Sequence, residues 1–493
     1  MNAPGQHPGS YTEVSHDSIF KKAMGRLDAL FVGFGAMIGF GWIVLAGGWI
    51  EEAGTMGALL AFAGGGVIMA FVGVVYSELV AAMPLAGGEH NYLIRAMGPK
   101  LSMIGSWCIV GGYITVVMFE AVSVPKTALY LLPDIEKILL WNVAGFDVYL
   151  TWALIGVVTA IILTYINIRG VKVASLVQTF VVSFLLIVGL LLVTGAGVGG
   201  EMKHVEPWFS GGFSGFALVL TTVPFLFVGF DVLPQAAEEI NVKPRQIGKL
   251  VVMAVLMAAA WYVVIIFTTS ISMPHSDIAV LNADGGLVTA DALSAMLGHP
   301  TWGKIVIAGG LAGIITSWNA FLMGASRLMW ALAQSGMLPA WFGKIHPTYR
   351  TPINALLFIG TLSVIAPFLG SAMLGWVVDA GSPMIVITYF LVSIAFIKLR
   401  KNEPQMERPM RVGGKGNGGI VIGVISAVLC LFLFVLYLPV TPWSVQLAWP
   451  SWLMFGLWLA VGVALMLRLP GGVQPGPNAE AELLKKLGRE SHR

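Results

Sequence analysis

Charge is the first thing this sequence lacks. Only 11% of its 493 residues are Asp, Glu, Lys or Arg, whereas 57% are hydrophobic, and the mean hydropathy is +0.84. A water-soluble domain must cover its surface with polar groups. This chain has too few, so lipid is the expected outer solvent. Strand-like alternation of apolar and polar residues is also missing, which argues against a membrane barrel. Cysteine is scarce. Cys108 and Cys430 each lie inside an apolar block, without metal-ligand spacing, and a disulfide between them is not expected. None of the eight histidines falls mid-block, which disfavours a histidine proton relay. No cluster of His, Cys or acids lies inside the apolar blocks either, and a membrane enzyme would need one. Residues 1–25 are polar and contain no secretory apolar region, so no cleaved signal peptide is expected.

What is present is a series of long apolar blocks. A spanning helix needs about 20 apolar residues. Twelve blocks are candidates: Leu30–Ile50, Met56–Ala82, Leu101–Leu132, Val148–Ile166, Val173–Thr194, Gly215–Ala236, Ile247–Ser270, Trp302–Leu332, Pro352–Leu369, Met373–Ile397, Ile420–Leu438 and Trp452–Leu467. The chain therefore reads as an all-α membrane protein with twelve spans and with lipid as its surroundings. Glycine (60 residues) suits close helix contacts, and tryptophan (16) suits the interface.

Twelve spans put both termini on one face, and basic residues mark the cytoplasmic face. If that face holds the termini, it also holds all of the 28 Lys and Arg except Lys126, Lys137, Lys203 and Lys304. The reading is a multi-pass protein of the cell membrane with both termini cytoplasmic. The same asymmetry accounts for the net charge of +3 without a nucleic-acid partner. Nothing in the sequence sets an oligomeric state. Within the tail, 478–489 reads either as a short amphipathic helix at the inner membrane surface or as a frayed polar end.

Two spans are not ordinary helices. Span 1 carries Gly33, Gly35, Gly39 and Gly41 in the run FVGFGAMIGFGW, and each glycine costs about 1 kcal/mol of helix stability relative to Ala. Span 6 carries Pro224, then Gly229 and the in-membrane acid Asp231. Irregular backbone at membrane depth is tolerated where it is buried in protein or lines a cavity. The two runs also match: Ile38-Gly39-Phe40-Gly41 pairs with Val228-Gly229-Phe230-Asp231, and the two spans lie five apart. Matching interruptions in two halves of a chain point to a transporter built from inverted repeats. A broken helix offers free N–H groups to an anion and free carbonyls to a cation, and an amino acid carries one of each. The bland alternative is that glycine merely lets the spans pack closely.

Four motifs carry a resemblance. They are GAMIGFG (Gly35–Gly41), YSELVAAMPLAGGEHNY (Tyr76–Tyr92), GFDVLPQAAEEINVKPRQI (Gly229–Ile247) and GASRLMWALAQSGMLP (Gly324–Pro339). In this order and spacing the chain resembles the amino acid–polyamine–organocation transporter superfamily, nearest its cationic-amino-acid-transporter-like branch, over about residues 26–400. The resemblance implies two inverted five-helix repeats, residues 26–194 and 195–400. Peripheral spans 11 and 12 (401–469) would follow, with a cytoplasmic N-terminal segment (1–25) and tail (470–493) at the ends. It implies a secondary carrier working by alternating access. The substrate carboxylate would meet the amides of Gly39, Phe40 and Gly41. The substrate amine would meet carbonyls at Met37, Phe225 and Val228, and Phe225 would cover the substrate. The substrate-binding set is thus Met37, Ile38, Gly39, Phe40, Gly41, Phe225, Val228, Gly229, Phe230 and Asp231. Phe40 stands where a small residue is usual and is expected to narrow the site; Trp42 replaces a small aliphatic residue.

Ionisable groups within the membrane are functional candidates. Asp231 would either attract a substrate ammonium or hold the helix break. Glu120, about two-thirds of the way out along span 3, would line an outer vestibule or face solvent. Lys126, six residues on, points to another face. Glu78, Glu238 and Glu239 fall near the cytoplasmic ends as gate or loop contacts. Some members of the superfamily place a Lys of helix 5 where others hold sodium. Here no Lys lies between Lys172 and Lys203, and Leu185 sits near the expected position. Gly313, Thr316 and Ser317 share one face of span 8. Sodium-coupled carriers of this architecture pair that face with two helix 1 carbonyls, here Gly35 and Ile38, so sodium is the expected coupling ion. In the alternative, Thr316 and Ser317 bond back to their own helix, and a proton gradient or exchange drives transport. No organic cofactor is expected. An amino acid is the expected substrate, with an amine or polyamine as runner-up; a substrate-sensing receptor on the same scaffold is the alternative of another class.

Overall fold

Lipid offers no hydrogen bonds, so apolar segments close their own as helices, and helices dominate the computed structural model. It describes residues 19–440 and 444–489; most of the N-terminal segment and the last four residues of the tail lie outside that range. In chain order the helices begin with α1 Arg26–Met37, α2 Gly41–Val44, α3 Ala46–Ala82, α4 Glu89–Met97 and α5 Pro99–Leu131. A hairpin of β1 Leu139–Val143 and β2 Phe146–Tyr149 follows, then α6 Leu150–Ile168, α7 Val171–Gly199, α8 Gly212–Phe227, α9 Val232–Gln235 and α10 Pro244–Ser270. The remainder are α11 His275–Ala283, α12 Val288–Leu297, α13 Thr301–Gln334, α14 Ile353–Ile365, α15 Met373–Asn402, α16 Gly418–Tyr437, α17 Trp449–Leu467 and α18 Ala479–Lys486.

Among the described residues, eleven helical stretches are long and apolar enough to cross a membrane. The predicted ninth span, Pro352–Leu369, is helical over Ile353–Leu369 but falls in the shorter class. Spans 1 and 2 meet inside α3, where Gly54 leaves helical geometry with φ +71°. A Cβ there would lie 2.8 Å from the Phe209 backbone, so the position takes glycine for two reasons. The all-α reading needs one correction: the antiparallel hairpin between α5 and α6, whose short runs lie outside the apolar blocks. The short helices α4, α11 and α12 also lie between spans, where an apolar-block reading assigns nothing. The tail segment does form a helix, α18, with Leu483 and Leu484 buried.

Helix α1 is the core of the bundle. Every residue from Ala29 to Met37 is buried, and the helix packs against α7, α10 and α13. At the other extreme, α17 buries only Ser451, Phe455 and Gly462. Its outer face, with Leu453, Leu457 and Val461, is left for lipid.

One end of the bundle is tied by charge. Glu78 on α3 meets Arg400 and, at 3.0 Å, Arg408. Glu239 meets Arg327 on α13 at 2.6 Å, and Arg95 meets Glu403 at 2.6 Å. Glu238 accepts the Ala86 N–H at 3.0 Å. The three acids read as gate or loop contacts from the sequence therefore each join separate segments.

Candidate functional site

Both predicted breaks are present, and they touch. Helix α1 ends at Met37; Ile38 is non-helical (φ −115°, ψ 51°), and α2 restarts at Gly41. None of the N–H groups of Gly39, Phe40 and Gly41 donates to a backbone carbonyl. In the second break, α8 ends at Phe227 and α9 starts at Val232. Gly229 adopts φ +133°, and its N–H turns to Asp231 Oδ1 at 2.8 Å. A continuous helix would have sent that N–H to the Phe225 carbonyl, so the break leaves this carbonyl without its helical partner. A Cβ on Gly229 would lie 2.5 Å from Ala36 Cβ and 3.2 Å from the Met37 nitrogen. Two irregular segments thus pack directly on one another in the middle of the bundle.

Between them lies a small cavity of about 10 Å³, the room of one water. Met37, Gly39, Gly41 and Phe225 of the predicted set line it, together with Glu120, Tyr262 and Ser317. Phe225 closes one side, edge-on to Phe119 at 5.4 Å. The Tyr262 hydroxyl donates to the Met37 carbonyl at 2.7 Å, which fixes the end of α1. A far larger cavity of about 470 Å³ lies off the C-terminal end of α5, lined by Lys126, Tyr130, Glu136 and Asp147. It is remote from the breaks, and size alone does not make it the site. Lys126 does face away from Glu120, as its spacing requires.

Glu120 is where the sequence reading needs correction. It is 1% exposed, neither in a vestibule nor in solvent. Its carboxylate faces the Ser317 hydroxyl and the Phe40 N–H, while Oε2 has no partner and borders the cavity. An acid on α5 therefore stands where the amides of the first break were expected to be free for a ligand. Helical phase relative to the breaks would have been the signal, but linear distance along span 3 hid it. Phe40 does not narrow the cavity: its ring lies about 3.4 Å from the Cβ position of Gly310, against α13. Trp42 packs edge-on against Trp261 at 5.3 Å.

Phe230 and Asp231 sit off the cavity. Phe230 packs against Tyr76 and Tyr389, with centroids 5.4 Å apart in each case. Asp231 accepts from Gly229 and from the Tyr389 hydroxyl at 3.2 Å, which is the arrangement of a residue that holds the break. Val228 is extended (φ −62°, ψ 138°) and is 1% exposed.

The second predicted constellation also converges. The Thr316 hydroxyl is 3.1 Å from the Gly35 carbonyl and 2.9 Å from that of Gly313. A Cβ on Gly313 would lie 2.7 Å from the Ile38 carbonyl and 2.6 Å from that of Gly39. Ser317 Oγ lies 2.9 Å from the Cβ position of Gly39. Helix α13 thus presents neutral oxygens to the carbonyls at the end of α1, and such hard donors suit an alkali cation. From α7, Gln178 and Val182, rather than Leu185, come closest to Gly35. An amide chain leads there: Asn167 to Asn319 at 2.9 Å, Asn319 to Gln178 at 3.0 Å, and Gln178 to the Phe31 carbonyl at 3.2 Å. Single-residue inspection misses this chain because its members lie on three different helices.

Two touching helix breaks buried in a bundle of apolar helices define a multi-pass membrane carrier rather than an enzyme. The amino acid permease family matches residues 24–465, and the chain belongs to that family, within the amino acid–polyamine–organocation superfamily. It is 26% identical over 471 residues to the branched-chain amino acid permease BcaP of Bacillus subtilis (strain 168), covering 92% of this chain and 93% of the other. It is 25% identical over 457 residues to the methylthioribose transporter of the same organism, covering 90% and 92%. It is 24% identical over 407 residues to the human cationic amino acid transporter 4, covering 79% of this chain and 61% of the other.

Proposed function

We propose that this permease carries amino acids across the cell membrane by alternating access, with twelve spans arranged as two inverted repeats of five and a peripheral pair, and with both termini cytoplasmic. The observation that carries the reading is the pair of touching breaks. The N–H groups of Gly39 and Gly41, which make no backbone hydrogen bond, suit a carboxylate once Glu120 leaves the neighbouring Phe40 N–H, and the released Phe225 carbonyl suits an ammonium. A cavity of about 10 Å³ is too small for any amino acid, so binding requires the walls to part. The test is uptake of labelled amino acids into vesicles, with amines and methylthioribose among the competitors. Uptake inhibited by amines and not by amino acids would favour the second reading, an amine carrier, for which the unpartnered Oε2 of Glu120 offers a charge partner. Binding without uptake would favour a receptor.

Phe225 serves as the lid in this reading. Phe225→Ala is expected to weaken substrate binding at least about tenfold, equivalent to ~1.4 kcal/mol. Phe432, 41% exposed on α16, is the control, and Phe432→Ala should leave affinity unchanged. Equal effects would remove Phe225 from the site.

Sodium is proposed to bind among the oxygens of Gly35, Ile38, Gly313, Thr316 and Ser317, supplying a charge that ties α1 to α13. Such coupling is reciprocal: sodium raises substrate affinity by the same factor that substrate raises sodium affinity. Wild-type affinity should therefore fall when choline replaces sodium at fixed pH, and the Thr316→Ala, Ser317→Ala double variant should lose that dependence. If affinity and uptake are the same in both buffers, the sodium reading fails and Glu120 becomes the candidate proton carrier.

A further inference from the structure

Glu89 is an acid that the substrate site does not use. It opens α4 and is fully buried, its carboxylate has no cation beside it among the described residues, and what faces it is its own backbone N–H and the Tyr76 hydroxyl. Around it stand Tyr76 of α3, Tyr92 of its own helix, Tyr113 of α5, Tyr389 of α15 and Asp231 of the second break. The Tyr76 hydroxyl turns to Glu89 and that of Tyr113 to Asp231, whereas the Tyr92 hydroxyl has no partner, nor has either polar atom of the buried Gln235, which packs on Gly88. A buried carboxylate without a cation, an unpartnered tyrosine hydroxyl and an unpartnered amide thus lie in one place, although buried polar groups are normally paired.

Cations on the packed helices do not answer Glu89. Arg327 is held by Glu239, and Arg400 and Arg408 are held by Glu78. On its other side α4 turns His90 towards Ser102 and Ser335, and the Glu480 of α18 bonds Ser335. The charged group that Glu89 does feel is a second acid, Asp231. Burial pushes the Glu89 carboxyl well above its ordinary value, and Asp231 adds to the push. A carboxylate in dry surroundings without a cation is strongly disfavoured, and two neighbouring acids there cannot both stay ionised, so one takes a proton.

We propose that Glu89 and Asp231 form a proton-binding site that holds the inner end of the pathway closed. The Asp231 charge is engaged by Gly229 and Tyr389, so the proton resides on Glu89. The groups that enclose it come from α3, α4, α5, α15 and the second break, and any opening between these elements admits water. Hydration lowers the cost of the charged form, Glu89 releases its proton, and the charged pair resists closing again. The closed form therefore binds a proton that the open form gives up. Acid favours closure and alkali favours opening, whichever ion drives uptake. This inference rests on the carrier reading for its consequence but not for its measurement.

The test is infrared difference spectroscopy of the purified protein across a pH titration. The wild type should show the C=O stretch of a protonated buried carboxyl that vanishes on alkalinisation. Glu89→Gln should lose that band, and Glu89→Asp, which keeps a carboxyl, should retain it at a shifted pH. Amide exchange over residues 89–97 at alkaline pH, compared at one pH between proteins, reads the gate. It should be faster in wild type than in Glu89→Gln, which mimics the protonated acid. A band unchanged in Glu89→Gln overturns the proposal. So does a wild type without a titrating band, equal exchange in the two proteins, or a band displaced by sodium at fixed pH, which would make the cluster a metal-cation site. None of these readings requires transport, so a failure of uptake leaves them interpretable.

Discussion

Gly39→Val is expected to abolish substrate binding in a protein that still folds. The reason is space rather than backbone conformation. A Cβ at Gly39 would lie 2.9 Å from both Cβ and Oγ of Ser317 and would meet Oε1 of Glu120 closer still. Those atoms form the wall of the cavity between the breaks, so a branched side chain fills the cavity and drives α1 away from α5 and α13. Overpacking of this kind costs about 1–3 kcal/mol of stability, which a large helical bundle survives. The ligand loses both the volume and the approach to the amides, so affinity should fall at least about 100-fold, or ~2.7 kcal/mol. Gly41 is the informative comparison. A Cβ there meets the Cδ2 tip of Leu226, an end that can rotate away, so Gly41→Ala should bind more weakly than wild type but not lose binding. Binding of a labelled amino acid that the wild type carries, with circular dichroism as the folding control, checks both. Wild-type affinity in a folded Gly39→Val protein would remove the first break from the site.

The two breaks were legible because glycine and proline carry conformational information that survives without neighbours. Gly229 at φ +133° and the non-helical Ile38 fall where the repeated Gly-Phe pattern put them. The α13 face was legible for a similar reason, since i, i+3 and i+4 spacing fixes a side. Glu120 was misplaced because its depth along α5 can be counted but its direction depends on how α5 leans against α1. Phe40 was misjudged in the same way: its bulk is evident, but its rotation toward Gly310 is a packing fact. Glu89 escaped notice because it lies in a loop helix outside every apolar block, where an acid ordinarily faces water. The hairpin β1–β2 has no apolar run to announce it. Its strands are mostly exposed, and pairing rather than burial defines them.

The largest stability effect is expected at Glu239. Its carboxylate accepts from Arg327 Nε at 2.6 Å and from Nη2 at 3.2 Å, with the two side chains 2% and 1% exposed. Arg327 also donates to the Ser326 hydroxyl at 3.0 Å and lies 5.9 Å from the Phe20 ring centroid. A guanidinium so deeply enclosed has no water to fall back on. Glu239→Gln should leave that charge uncompensated and cost about 3–5 kcal/mol, seen as a marked drop in melting temperature in detergent. The pair itself need not be stabilising, because both ions have been stripped of water to form it. Replacing both residues at once, Glu239→Met with Arg327→Met, should therefore recover most of what the single change loses. The exposed pair Lys486–Glu482, 3.6 Å apart at 36% and 38% exposure, supplies the contrast. Glu482→Gln should move the melting temperature hardly at all, since such pairs contribute at most about 0.5 kcal/mol. If Glu239→Gln melts like wild type, water reaches Arg327 and the enclosure is not a sealed one. If the double variant is stable but its uptake is lost, the ion pair serves to reclose that end of the bundle rather than to hold the fold, because Met side chains can pack there but cannot restore a directional contact between α13 and the segment after α9.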